Sequence, residues 1–452
     1  MLAPSADRRG TLEMMVRRRE ETRWEGPTPL SPDYRESPYW WDRTKLPDLP
    51  EASLPPDVDV AIVGAGYTGL GAALESSRLG RSVLVLEKYH LGFGASTRNG
   101  GMIHPGVKLE LDALLRRFGD LGERLFRFTV EAFEDAERVI AEEEIGCDYE
   151  RTGHLYLASR RSHVERLTSV AGLCRQRFDI AAHFVPRDAL EEEIGSNAFH
   201  GGLVVEKSGG LDPARYHDGL VRAALRAGAQ IHDQTPAQRL ERRSDGTFDV
   251  HSPRGRVHAR DVFVATNGYR DGLVPWLRRR VVPIGSYIIA TEPLEPGLAR
   301  EISPRDRMFF DSKNYLNYWR LSPDGRMLYG GRASMAPTTI ARARDTLYRS
   351  MVVTHPQLAG VRVEWAWGGK VGFTFDRLPH AGRRNDVHFA TGYGGTGVAL
   401  ASYLGRCVAA WMPGGKPPVF TEPRFPFLPA GAASERLLPI AGLYYQLRDR
   451  IG

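Results

Sequence analysis

Residues 58–63 read Val58-Asp-Val-Ala-Ile-Val63 and residues 82–87 read Ser82-Val-Leu-Val-Leu-Glu87, two short β-branched runs that pass from alternating to continuously apolar. That is the pattern of buried strands. Between them come a glycine-rich turn from Gly64 to Gly71 and the stretch Ala-Ala-Leu-Glu-Ser-Ser-Arg-Leu-Gly-Arg, which read as a turn and a helix. Farther on, Leu125, Phe128, Ala132, Ala136, Val139 and Ile140 recur at helical spacing, so residues 110–145 are expected to be mainly amphipathic helix. Leu211 to Ile231 reads as a capped helix followed by a strand, and Val262 to Thr266 as another strand. From Pro283 to Val371 the pattern changes to strands, notably Tyr287 to Thr291, Asn317 to Leu321 and Met327 to Gly331, with a helix near Ala341 to Val353. A strand from Val387 to Thr391 and a helix from Val398 follow.

The first strand, turn, helix and second strand carry chemistry. Gly64 allows the tight turn, Gly66 lets backbone amides approach a pyrophosphate, and Gly69 lets the helix pack closely on the strand. Tyr67 and Thr68 open the helix, whose N-terminus faces the phosphates. Glu87, at the end of the second strand, is placed to accept hydrogen bonds from a ribose and to repel a 2′-phosphate, which points to FAD or NAD rather than NADP. The following loop, Gly92-Phe-Gly-Ala-Ser96-Thr-Arg98-Asn99-Gly100-Gly101, has a hydroxyl, a cation and paired glycines that suit a second nucleotide face; by composition it reads equally well as a solvated surface loop.

At this loop the chain resembles the D-amino-acid oxidase-like superfamily of flavoproteins, in particular the branch of gamma-glutamylputrescine oxidases. The resemblance rests on Gly64 to Gly71, Glu87, Gly94 to Gly101, Ala265-Thr-Asn-Gly-Tyr269 and Gly392 to Ala401, and runs from about residue 38 to the end. It implies FAD as the cofactor, with contacts that add Lys88, Met102, Ala237, Ala265, Thr266, Asn267 and Gly268 to the residues above. A second G-x-G-x-x-G stands at Gly392, Gly394 and Gly397, but the chain after its helix ends in Trp411-Met-Pro-Gly-Gly rather than in a strand with a ribose-binding acid. This is better read as a turn through Gly395 and Thr396 that brings the start of the Val398 helix against the flavin pyrimidine. Electrons should then come from the substrate rather than from a bound nicotinamide.

Departures from the family pattern narrow the expectation. Val371 stands where the resemblance places a carboxylate-gripping arginine in glycine oxidases and the covalent cysteine of monomeric sarcosine oxidases. Arg98 stands near the flavin-linked histidine of the dimethylglycine dehydrogenase branch. Both imply noncovalent FAD. Leu328 replaces an oxygen-activating lysine, for which Lys370, or else Lys313, is the expected substitute, unless the electron acceptor is not oxygen.

The whole chain has 452 residues, a formal net charge of +6, 42% hydrophobic and 26% charged residues. It is too long for one core, and the small basic excess is spread too evenly to indicate nucleic acid. Cys147, Cys174 and Cys407 lack metal-ligand spacing and suggest a reducing compartment. No apolar run is long enough to span a membrane, and neither Arg8-Arg9 nor Arg17-Arg18-Arg19 precedes an apolar signal segment, so a cytoplasmic address is expected. Arg278-Arg279-Arg280 reads as a solvated turn, and Trp40 and Trp41 as packing on the protein's own surface.

The expected fold is α/β: a doubly wound, Rossmann-like FAD-binding domain in three segments, 58–106, 205–278 and 371–415. Into it is inserted an α+β substrate domain, 107–204 and 279–370, built on a mixed, largely antiparallel sheet. Residues 1–57 form a Pro-rich extension and 416–452 a tail with a short helix.

The aromatic and ionisable residues of the substrate domain suggest an amine. Asp311 and Asp376 could hold its cationic tail, Trp365 and Trp367 offer π-faces, and Arg320 is a further binding candidate. His104, Tyr318 and Lys370 are the candidate catalytic groups. Each residue taken singly also reads as an ordinary strand or turn residue. The expected reaction is hydride transfer from the carbon beside a neutral amine to flavin N5, giving an imine that hydrolyses, with oxygen or another acceptor taking the electrons. The alternatives are a flavin-dependent tailoring desaturase or monooxygenase of a larger metabolite, and third, a non-catalytic flavin-binding protein.

Overall fold

The computed structural model describes residues 24, 26–47, 49, 52–269, 272–332 and 338–428, so the arginine clusters before residue 20 and most of the expected tail helix lie outside it. Strands Val83–Leu86, Asp57–Val63 and Gly255–Val264 lie side by side and parallel, flanked by Gln230–His232 on one side and Val387–Thr391 on the other. Val60, Ala61 and Ile62 are wholly buried, as a strand covered on both faces requires. An antiparallel extension, Arg239–Arg242 and Phe248–Ser252, continues from Gly255–Val264.

Two helices cover this sheet in backbone contact. A methyl on Gly71 would run into the Ser402 carbonyl, and one on Gly405 into the Thr68 carbonyl, so Tyr67–Arg78 and Gly397–Trp411 lie closely together. The Thr68 and Tyr393 hydroxyls, 2.8 Å apart, tie the starts of the two helices together.

The second sheet has nine strands in the order Leu30–Arg35, Val363–Phe373, Val282–Pro293, Arg326–Gly331, Asn317–Leu321, Met308–Asp311, His154–Leu157, Gly201–Val205 and Ala182–Pro186. All pairings are antiparallel except Leu30–Arg35 with Val363–Phe373 and Met308–Asp311 with His154–Leu157. Trp319, Tyr329, Ile289 and Phe309 pack from this sheet against Leu347 and Met351 of helix Ile340–Thr354.

The structure adds local detail to these expectations. The 110–145 stretch is two helices, Leu111–Phe118 and Asp120–Glu142, because Gly119 takes φ 53° between them. Leu125, Ala132 and Val139 of the second helix share a core with Ala72, Leu404 and Val408, so this segment belongs as much to the nucleotide-binding body as to the inserted one. Within the Pro-rich extension, the chain from Leu30 onward forms an edge strand and a short helix, with Trp40 fully buried. Arg280 also departs from the solvated turn: it is buried, with its guanidinium 3.8 Å from the centre of the Phe427 ring. No helix among the described residues is long and apolar enough to cross a membrane.

Candidate functional site

A cavity of about 270 Å³ opens where the parallel strands end, between the Gly64–Gly66 turn, Glu87 and the Ala265-Thr266-Asn267 segment. Gly64 turns at φ 103°, a conformation that side chains disfavour, and a methyl on Gly69 would strike the Gly64 carbonyl. Gly66 caps the helix without a side-chain acceptor, which leaves the Thr68 and Gly69 amides, after the engaged Tyr67 N, for an anion. Ser96 Oγ accepts a hydrogen bond from Tyr67 N at 3.1 Å and brings the following loop against the helix start. Glu87 is braced by amides: its carboxylate accepts from Ala65 N at 2.9 Å and from Tyr89 N at 3.1 Å. Burial raises its pKa above the usual carboxylate value and these amides draw it back. His217, kept neutral because burial lowers its pKa, donates from Nε2 to the Ala65 carbonyl at 2.7 Å and supports the turn from beneath.

The 92–101 loop is fixed by contacts absent from the sequence reading. Trp40 Nε1 donates to the Asn99 carbonyl and Trp41 Nε1 to Thr97 Oγ1, both at 2.8 Å. Arg98 donates to the carbonyls of Phe93 at 2.7 Å and Gly368 at 3.0 Å, with its guanidinium 4.5 Å from the Trp41 ring centre. Its charge therefore fastens the loop to strand Val363–Phe373. The Asn99 side chain is used within the loop, donating to the Ala95 and Ser96 carbonyls and accepting from Gly101 N. Asn267, at φ 44°, accepts from Gly392 N at 3.0 Å and ties the strand end to the C-terminal glycine turn.

A second cavity, about 290 Å³ and mostly apolar, lies under the nine-stranded sheet and shares walls with the first at Ala95, Asn99, Val371, Gly395 and Val398. Gly100, Met102, Gly394 and Thr396 also line it. Thr396 donates its hydroxyl back to the Tyr393 carbonyl at 2.9 Å instead of capping helix Gly397–Trp411, so the amides at that end also remain available. On the roof, the Tyr318 and Ser286 hydroxyls are 3.2 Å apart, and burial pushes the Tyr318 phenol up to about 12. His104 and His154 flank Phe310, and burial lowers both pKa values, leaving neutral imidazoles.

Lys108, which carries no sequence signature, also faces this cavity. A Cβ on Gly394 would lie 2.9 Å from its own Cβ, so its stem rests on the glycine turn. Burial, reinforced by the Arg332 charge, lowers its pKa to about 8. Glu110, on the same wall, accepts from the Tyr156 hydroxyl at 2.7 Å and lies 3.8 Å from Arg166.

The expected substrate residues divide by strand parity and position. Trp365 and Trp367 lie on the same face of their strand as the cavity-lining Gly369, Val371 and Phe373, but farther along it, where helix Tyr39–Arg43 covers them. Trp365 Nε1 donates to Asp42 and Trp367 Nε1 to the Arg98 carbonyl. Arg320, two positions beyond Tyr318 on the same face, is buried and donates to the Gly101 carbonyl at 2.9 Å. Asp311 is consumed by a turn, accepting from Asn317 N and Nδ2 at 2.9 Å and pairing with Lys313 at 3.2 Å. Asp376 is buried against His380 at 3.1 Å.

None of these five expected substrate residues lines the second cavity. Lys370 has the opposite parity; it lies exposed at the nucleotide cavity, its ammonium 6.0 Å from the Tyr269 ring. His104 and Tyr318 do face the second cavity. Of the expected cofactor positions, Thr68, Lys88, Ala237 and Gly397 line the first cavity. Gly101 and Gly268 act through close backbone approach instead, to the Leu211 carbonyl and to Gly372 N respectively.

The donor set fits an FAD: a glycine turn with free helix-start amides, a braced carboxylate, and a second helix start at the adjoining cavity. Comparisons with known proteins agree. The family model for DAO, FAD dependent oxidoreductase, matches residues 59–411. A probable oxidoreductase, OrdL, of Haemophilus influenzae is 31% identical over 92% of this chain and 98% of its own length. The gamma-glutamylputrescine oxidoreductase of Escherichia coli is 29% identical over 87% of this chain and 93% of its own length. Among solved structures, glycine oxidase from Geobacillus kaustophilus superposes with a TM-score of 0.68 at 19% identity, covering 82% of this chain and 99% of that one.

Proposed function

Because this chain belongs to the DAO family of FAD-dependent oxidoreductases, we propose that it oxidises a C–N bond of an amine or amino-acid-like substrate held in the roof cavity. The observation that carries this reading is the shared wall: Asn99, Val371 and Gly395 border both cavities, so a dinucleotide held in the first reaches the second. The names of two relatives point the same way, one to gamma-glutamylputrescine and one to glycine. FAD bound noncovalently supplies the two-electron acceptor.

The residues of the chain supply orientation and proton handling. An amine must lose its ammonium proton before its α-carbon can give up hydride, and Lys108 Nζ is the acceptor we assign to that proton. Its apolar surroundings and the Arg332 charge favour the neutral amine form that can take it. Tyr318 and Ser286, both protonated hydroxyl groups, orient the substrate from the roof. The amides at the start of helix Gly397–Trp411 favour negative charge at that end of the site. The oxidised product is an imine, which water cleaves to a carbonyl compound and a shorter amine or ammonia, with oxygen or another acceptor taking the electrons. The assignment is tested by anaerobic mixing with a panel of primary and secondary amines. Bleaching of the flavin absorbance by an amine without nicotinamide is the expected result; reduction by NADH or NADPH alone would overturn it in favour of a tailoring monooxygenase. Acid precipitation should leave the FAD in the supernatant, and flavin on the pellet would overturn the noncovalent assignment.

A further inference from the structure

The roof cavity does not end at the polar groups described above. Strand His154–Leu157 directs His154 and Tyr156 to one face, and its partner Gly201–Val205 directs Leu203 and Val205 the same way. Beyond Tyr156 and Glu110 these strands, helix Asp120–Glu142 and helix Val164–Phe178 enclose a chamber lined by Phe126, Val170, Cys174, Ile180, Leu203 and Val205. The only polar side chain among these six is the Cys174 thiol, and burial pushes its pKa up to about 11, so it remains an uncharged, weakly polar group. The entrance differs in kind, with Lys108, Glu110 and the Tyr156 hydroxyl in place of hydrocarbon.

Protein interiors are normally packed to near-crystalline density, and an apolar space continuous with a binding site gives water nothing to hydrogen-bond. Such a space is filled favourably by hydrocarbon. Resting on the amine reading above, we propose that this chamber receives an apolar substituent of the substrate, so that the enzyme selects amines bearing a hydrocarbon chain rather than short or fully polar ones. The amino group then sits between Lys108 and Tyr318 while the chain passes Tyr156 and ends among Val170, Cys174 and Ile180.

The test is an anaerobic titration of the FAD-loaded protein with straight-chain n-alkylamines from ethylamine to octylamine, following the flavin spectrum for binding and its bleaching for reduction. Dissociation constants should fall about fourfold per added methylene until the chamber is full. Cys174→Met, which fills part of the chamber, should weaken octylamine at least tenfold while leaving ethylamine unchanged; Val170→Ala should move the length limit the other way. A flat dependence on length, with reduction by short amines intact, would overturn the chamber assignment and leave the amine reading standing. The n-alkyl alcohols, run in parallel, separate the opposite case. If alcohols bind with the same length dependence but no amine bleaches the flavin, the chamber is real and the amine reading fails. No length dependence in either series overturns the proposal.

Discussion

The nucleotide cavity and the roof cavity meet at Asn99 and Gly395 but are built by different means. The first is shaped by turns at the ends of the parallel strands, where backbone approaches so closely that the glycines cannot accept a methyl, with Glu87, Lys88 and Lys370 as charged side chains in its lining. The second is lined by side chains from many separate segments: Lys108 and Glu110 from one loop, Tyr156 and Leu203 from adjacent strands, Tyr318 and Ser286 from two other strands of the same nine-stranded sheet. A site whose shape is set by close backbone approach is preserved under most substitutions of its side chains. A site built from side chains can be changed one residue at a time, and selectivity resides there.

That contrast predicts which property each substitution should change. Lys108→Met should lower kcat/KM about 100-fold, the scale of a lost proton acceptor, while FAD occupancy stays unchanged. The wild-type kcat/KM should rise as pH passes upward through about 8, because Lys108 is protonated below that value and can accept nothing; in Lys108→Met that limb should vanish. Below pH 8 the native protein must bury this charge whereas the unfolded chain keeps it in water, so the variant should also melt at or above the wild-type temperature. A parallel loss of FAD would place Lys108 in the nucleotide site and erase the division.

Glu87→Gln should do the reverse, weakening FAD by about 1.5 to 3 kcal/mol, roughly 10- to 150-fold, with little change in kcat at saturating FAD. Fluorescence titration of the apoprotein measures it. Trp40→Phe tests the junction between the two sites. Removing the hydrogen bond to the Asn99 carbonyl should cost about 1 kcal/mol, a fivefold weaker FAD complex, and should disturb both sites because Asn99 borders both. Lys370→Met should have the smallest effect, changing stopped-flow reduction and reoxidation by less than about twofold, since an exposed cation is screened by solvent. A selective slowing of reoxidation would restore Lys370 as the oxygen-activating group.

How much of each site could be read in the chain follows from the same division. The Gly64–Gly69 turn and Glu87 form a local pattern, with the acid a fixed distance along one strand–helix–strand unit, and the structure places them around one cavity. His104 and Tyr318 face the roof cavity, but Asp311, Arg320, Trp365, Trp367 and Asp376 do not. Their composition suited an amine; their partners could not be seen. Asp311 binds a turn six residues on, Arg320 holds the Gly101 carbonyl from more than 200 residues away, and Trp365 meets Asp42 of the N-terminal segment. Lys108 shows the converse, for nothing in Val107-Lys108-Leu109 announces a site.

Hydrophobic periodicity and the glycine–acid spacing thus determined the doubly wound body, the mixed sheet and the dinucleotide cavity, because each depends on residues close together in the chain and on backbone shape. Only the tertiary structure decided which face of each roof strand meets the cavity and which stretch of that face is covered by Tyr39–Arg43. It likewise decided that Lys108 is partly buried within reach of the Arg332 charge, because those outcomes depend on strand register and on the lowered dielectric produced when distant segments pack together.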